Sequence, residues 1–237
     1  MRLDGIEITW LGHAAFRFRL DDGVTLLIDP FLAGNPLCPP EEKLPHRADA
    51  IFVTHGHRDH LGDTASIARS AGATVFSIFE IKRWLMQQGL EDDQTVPLNK
   101  GGTVSAPGGV SATFVHAVHS SGIYSEEGTI NGGAAGGWVL DFPWGPTVYH
   151  AGDTDVFGDM KLIGELWDPD IACLPIGGHF TMDPRSAAKA AGLLGVETVI
   201  PMHFGTFPVL AGRPDHLREH GGGTFQVQEM TVGAPEK

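Results

Sequence analysis

Thr54-His55-Gly56-His57-Arg58-Asp59-His60 stands at the end of a short apolar run, Ala50 to Thr54, and the reading of this stretch decides the fold. Such a run has the length and character of a buried strand. A tight turn at a strand end can aim three imidazoles and a carboxylate at one point, and Gly56 leaves room for close backbone approach. Packed together without a cation, those groups would keep unsatisfied lone pairs or titrate into repelling charges. Zinc-like ions bind the same groups at about 2.0 to 2.2 Å. A solvated His-rich turn is the bland alternative, and the density of donors argues against it.

Outward from this turn, the N-terminal side reads as a meander: Ile6 to Trp10, Ala14 to Leu20 and, after the Asp21-Asp22-Gly23 turn, Val24 to Ile28. A Pro-rich loop from Pro30 to Pro45 follows. On the C-terminal side, Thr64 to Ser70 and Ile81 to Gln88 have helical spacing, with Val75 to Ile78 a strand between them. Strand patterns return over Gly101 to Val118, and the Gly-dense segment Ser121 to Gly137 is expected to be a loop or lid. Trp138 to Phe142, Thr147 to His150, Ile171 to Leu174 and Thr198 to Ile200 read as further strands. Met160 to Leu166, Pro184 to Leu194 and Pro214 to Glu219 read as helices. No fixed-period repeat or linker divides residues 1–237, so one domain of packed sheets with helices outside is expected.

Three further donors stand just beyond predicted strands: His119, Asp153 and His203. Taken singly, a lone Asp in Gly152-Asp153-Thr154 is a turn residue more often than a ligand, and a lone His is more often structural. Together with the turn they make a donor set large enough for two ions with one carboxylate shared. His116 competes with His119, and strand parity lets only one of them face a given site.

Composition narrows the function. The formal charge of −13 opposes the basic surface by which proteins neutralise nucleic-acid phosphates or anionic lipid, so a small molecule is the expected partner, with neither nucleic acid nor membrane. Twelve His beside many acidic residues suit metal ligation. The two cysteines, Cys38 and Cys173, are too few for a disulfide framework and read as idle thiols. The start, MRLDGIEITW, lacks a secretory pattern, and a cytoplasmic location is expected.

The H-x-H-x-D-H stretch, with Trp10-Leu11-Gly12-His13, Leu27-Ile28-Asp29-Pro30, His119-Ser120-Ser121, Ala151-Gly152-Asp153-Thr154, Leu174-Pro175-Ile176-Gly177-Gly178 and Met202-His203-Phe204, resembles the metallo-β-lactamase superfamily and, within it, the UPF0173 metal-dependent hydrolases. That family is related to ascorbate-6-phosphate lactonases and to phospholipase D enzymes acting on N-acylethanolamine lipids. The resemblance covers essentially the whole chain. It implies an α+β fold, a four-layer αββα sandwich with the metals at one edge. It also implies one ion on His55, His57 and His119, a second on Asp59, His60 and His203, and Asp153 between them. Relatives often assemble, which implies a homo-oligomer.

Around that centre, Asp29 is expected to hold a ligand imidazole, and His13 and Asn35 to stand beside the metals or touch substrate. The family commonly carries Asn in the segment that here reads Gly178-His179-Phe180-Thr181-Met182-Asp183-Pro184, so His179 is expected to bind substrate oxygen or protonate the leaving group. Asp59 is expected to orient a metal-bridging water that attacks a carbonyl or phosphoryl centre. Tyr124 and Glu126 are candidates to reach substrate. His150 reads as a core residue, and His46, His216 and His220 as surface residues. Zinc is expected first, then manganese, with nickel or iron also compatible. The substrate implied is a lactone, ester or phosphodiester, by resemblance first a lactone of a phosphorylated sugar. The rival functions are a di-iron redox enzyme, whose family members commonly put a carboxylate where His57 stands and add a flavin domain, a nuclease, and a metal-binding module without catalysis.

Overall fold

The structure is a computed structural model that describes residues 3–44, 47–126 and 128–237, so the surface expectation for His46 lies outside the described residues. The first half runs β1 (Ile6–Trp10), β2 (Phe16–Leu20), β3 (Thr25–Ile28), β4 (Ala50–Phe52), α1 (Arg58–Leu61), α2 (Thr64–Ala71), β5 (Thr74–Ile78), α3 (Phe79–Gln87) and β6 (Thr95–Leu98). The second half runs β7 (Thr103–Ser105), β8 (Ser111–His116), β9 (Gly122–Ser125), β10 (Gly128–Asn131), β11 (Gly136–Asp141), β12 (Thr147–His150), α4 (Met160–Trp167), β13 (Ile171–Pro175), α5 (Pro184–Leu194), β14 (Thr198–Met202), α6 (Pro214–Gly221), β15 (Gln226–Val227) and β16 (Pro235–Glu236).

Two mixed sheets form the middle layers. One has the order β16-β1-β2-β3-β4-β5-β6 and the other β15-β14-β13-β12-β11-β8-β7. Side-chain alternation explains why the second sheet can be covered on both faces. Along β11, Trp138 and Leu140 enter the core shared with the first sheet, while Val139 packs with α4 and α5. Ile171 and Cys173 of β13 likewise face inward, and Ala172 and Leu174 face the helices. Ile67, Ala68, Ile81 and Leu85 of α2 and α3 join the cluster built on the first sheet. Trp138 ties the sheets together: its ring packs at 5.1 Å from Phe52 and its indole N–H donates to the Val53 carbonyl at 3.1 Å, just before the His-rich turn.

Local signals set the elements. Helix α5 begins where the Asp183 carboxylate accepts from Ser186 N–H at 2.7 Å and Pro184 occupies the first turn, and it ends at Gly195 with φ of 73°. The sandwich matches the expectation from sequence, while the Gly-dense segment does not. Residues 122–125 and 128–131 form the antiparallel pair β9–β10, because Ile123 and Tyr124 alternate against Thr129 and Ile130 in β-compatible fashion. Strand β8 also stops at His116, so His119 lies in the loop beyond it and the parity argument does not reach it. Among the described residues no helix is long and apolar enough to cross a membrane.

His150 is fully buried in β12, donating Nε2–H to the Ala14 carbonyl at 2.9 Å and accepting Gly152 N–H at Nδ1. Burial holds its pKa below the ordinary value. The unfolded chain therefore binds a proton that the folded chain refuses once the pH drops below about 6.5, and stability is lost as pH falls through that value. Urea unfolding of the parent should lose up to about 1.4 kcal/mol per pH unit more than His150→Gln between pH 6.5 and 5. Parallel pH slopes in the two proteins would contradict this account.

Candidate metal centre

Strand direction gathers the site. Strands β3, β4 and β5 are mutually parallel, as are β12, β13 and β14. Two antiparallel steps, through β2 and through β11, give β1 and β8 the same sense as the strands beyond. The segments after β1, β3, β4, β8, β12 and β14 therefore leave one edge of each sheet, and they carry His13, Asp29, His55 to His60, His119, Asp153 and His203.

Within the H-x-H turn, His55 Nε2 and His57 Nδ1 face each other at 3.0 Å, and both rings pack within about 5 Å of the His119 ring. His55, His57 and His119 form one set of potential ligand atoms lying within 4.8 Å of one another; His13, Asp59, His60 and His203 form another. Asp153 lies between the sets. Its Oδ1 is 3.2 Å from His60 Nε2, and its Oδ2 is 3.2 Å from His203 Nε2 and 3.5 Å from His119 Nε2. Gly56 is needed at the turn, since a Cβ there would stand 2.6 Å from Ile123 Cγ1.

A hydrogen-bonded support fixes the tautomers. The buried Asp29 carboxylate accepts His60 Nδ1–H at 2.7 Å, Thr54 Oγ1–H at 2.6 Å and Thr54 N–H at 2.8 Å. With its own proton committed to Asp29, Thr54 Oγ1 accepts His55 Nδ1–H at 2.9 Å. Both rings thus turn Nε2 inward. Ser120 Oγ at 3.2 Å from His57 Nε2 accounts for that ring's outer nitrogen. His13 is engaged at both nitrogens, to Asp59 Oδ2 at 3.0 Å and Thr206 Oγ1 at 2.9 Å, so it positions Asp59.

Burial pushes the His13 pKa down to about 4 and lowers those of His55, His57 and His119 as well. These rings are neutral, as ligation requires. Burial also opposes charge on His60, but Asp153 and Asp29 outweigh it and hold that ring well above its usual range. Asp153 is held well below the carboxylate range because His203 and His60 outweigh its burial. His60 Nε2, His203 Nε2 and Asp153 Oδ1 are buried yet make no hydrogen bond: their contacts lack the required geometry. Unpartnered buried atoms of this kind are costly, and imidazole and carboxylate are the donors that divalent cations take. The residues present fit a bound metal.

Other expected residues lie elsewhere. Asn35 is buried and spends its amide on the Phe31 and Leu11 carbonyls and Leu37 N–H, bracing the loop after β3. His179 has φ of 55° and packs edge-on against Phe180 at 4.4 Å. It is Phe180 that reaches the cleft, a hollow of about 380 Å³ walled also by His57, Asp59, His119, Asp153 and His203. His116 is exposed and faces Lys100 Nζ at 2.8 Å. His216 and His220 are exposed, and both cysteines are buried and free. A larger hollow of about 630 Å³, between Asp4, Arg19 and Lys237, has no imidazole on its described wall. The supporting roles of Thr54, Ser120 and Thr206 have no signature in the sequence beyond, for the first two, a hydroxyl residue directly beside a candidate ligand.

The family model for a β-lactamase superfamily domain matches residues 24–204. A UPF0173 metal-dependent hydrolase from Koribacter versatilis is 51% identical, covering 98% of each chain. One from Rubrobacter xylanophilus is 53% identical over 98% of this chain and 96% of its own. The solved structure of a metallo hydrolase from the archaeon Ignicoccus hospitalis superposes with a TM-score of 0.85 at 37% identity, covering 98% of this chain and 97% of the other. The chain belongs to the β-lactamase superfamily and, within it, to the UPF0173 family of metal-dependent hydrolases.

Proposed function

We propose that the chain hydrolyses a lactone, ester or phosphodiester of a small anionic molecule with two divalent cations, zinc in first place and manganese in second. The observation that carries this reading is the convergence of buried, unpartnered His60 Nε2, His203 Nε2 and Asp153 Oδ1 beside the facing nitrogens of His55 and His57. His55, His57 and His119 would hold one cation and Asp59, His60 and His203 the other, with the Asp153 carboxylate between them. Cations bound there supply Lewis acidity that polarises a carbonyl or phosphoryl oxygen and acidifies water toward neutral pH.

The protein's own groups do the rest. Asp59 is held below the carboxylate range because the His13 hydrogen bond and the nearby His60 outweigh its burial, so it is ionised, and its side chain stays partly exposed at the cleft. An ionised carboxylate in that place orients water by accepting its hydrogen bond. His13 and Thr206 fix its position. Two Asp against two divalent ions leave the inner site at about +2, which favours an anionic substrate group despite the acidic chain.

Purified protein with measured metal content, screened against lactones, esters and phosphodiesters, should turn over at least one class and lose that turnover on chelation. Restoration by added zinc or manganese is the expected result. Full activity in rigorously metal-stripped protein would defeat the reading.

A further inference from the structure

The geometry points to a substrate that is a small anion bearing a planar apolar group, the anionic group taken by Arg58 and the planar group by Tyr124 and Phe180. This inference rests on the functional reading above only for placing substrate in the cleft. Arg58 stands between His57 and Asp59 in the chain, is exposed, and lines the cleft. Arg17, Arg47, Arg213 and Arg218 spend their charge on Glu42, Asp49, Asp215 and Glu229, and of the arginines without a carboxylate partner among the described residues only Arg58 lines the cleft. The Arg58 guanidinium has no such partner among the described residues. Its neighbour Asp59 is already committed to His13. A guanidinium fork left free at the mouth of a site is matched to a carboxylate or phosphate.

The aromatic pair supplies the second half. Tyr124 is 68% exposed and Phe180 60% exposed, although both line the same cleft. The Tyr124 ring lies nearly parallel to that of His57, at 18° and 6.2 Å. Ser121 fastens its hairpin to the H-x-H turn by accepting Gly56 N–H and donating to the Gly132 carbonyl, both at 3.0 Å, and Ile123 anchors it at 2% exposure. The ring is therefore held in place while its apolar face stays wet. Phe180 is propped by His179. Two fixed, wet aromatic rings beside reacting groups gain most from covering a flat apolar ligand.

The test uses zinc-loaded protein and two probes that cannot be hydrolysed, acetate and phenylacetate, with affinities read by calorimetry. Phenylacetate should bind at least about 10-fold tighter than acetate, since a single methylene in an apolar pocket is already worth about 10- to 200-fold. Tyr124→Ala combined with Phe180→Ala should bring the ratio close to one. Arg58→Gln should weaken both anions by a common factor and leave their ratio standing, and Arg58→Lys should recover part of the loss. All three side chains are exposed, so their replacement spares the core. Equal affinities in the parent, a ratio unmoved by removing both rings, or anion affinities unmoved by Arg58→Gln would each overturn the inference. Binding is read without turnover: a chain that hydrolyses nothing yet discriminates the anions fails the functional reading alone, and one that hydrolyses without discriminating fails this inference alone.

Discussion

Asp153→Asn should strip the protein of more than one cation and lower hydrolysis by several orders of magnitude. The carboxylate is almost fully buried and touches His60 and His203 from one group of donors and His119 from the other. The amide keeps its shape and removes its charge. Because burial alone would disfavour the Asp153 anion, its ionised state depends on the positive character around it, and that dependence is mutual. Removing the charge therefore weakens cation binding on both sides at once. His57→Ala, by contrast, touches one group and should cost one cation, leaving stoichiometry near one per chain. Metal analysis after dialysis separates the two outcomes, and an Asp153→Asn protein that retained two cations would rule out the shared role.

What is legible in the sequence follows from periodicity and from strand ends. Alternation in β1 and β2 and the apolar β3 and β4 point to the first sheet, and the donors beyond successive strands point to one edge. A sequence shows no hydrogen bonds, so the Thr54 relay and the grip of His13 on Asp59 could not be read. Nor could backbone conformation. His13, Asp29 and His203 adopt φ of 58°, 45° and 55°, values that non-glycine residues rarely take, and each sits in the metal centre. No glycine stands there to signal the turn, because the side chain itself is what the site requires. The hairpin β9–β10 escaped for the opposite reason: its flanking glycines suggested freedom, whereas Gly132 packs with its Cα against the Ser121 carbonyl and leaves no space for a side chain.

The second large effect is expected at Asp29, which touches no cation in the proposed arrangement. Asp29→Asn should weaken cation binding by about 10- to 100-fold, the usual cost of losing the group that orients a ligand imidazole. The Asp29 Oδ2 atom accepts two protons, from His60 Nδ1 and Thr54 Oγ1. An amide offers one oxygen and one N–H₂ group, and the Oδ1 place faces a third donor, Thr54 N–H, so whichever way the amide turns at least one donor meets N–H₂. With the oxygen in the Oδ2 place, Thr54 N–H is the donor left without an acceptor and the start of the His-rich turn is disturbed; with N–H₂ there, His60 Nδ1–H and Thr54 Oγ1–H both lose their acceptor, and the hold on His55 goes with Thr54. Backbone strain does not confuse the result, because Asn tolerates the positive φ at this position better than other replacements. Asp29→Ala is the harsher change. It adds that strain and leaves Thr54 N–H and His60 Nδ1–H buried without acceptors, at about 1 to 3 kcal/mol each. Urea unfolding should therefore separate Ala from Asn, while chelator competition should show both far weaker than the parent. Parent-like cation affinity in Asp29→Asn would mean that a neutral amide orients His60 as well as the carboxylate does, and the role given to the Asp29 charge would fall.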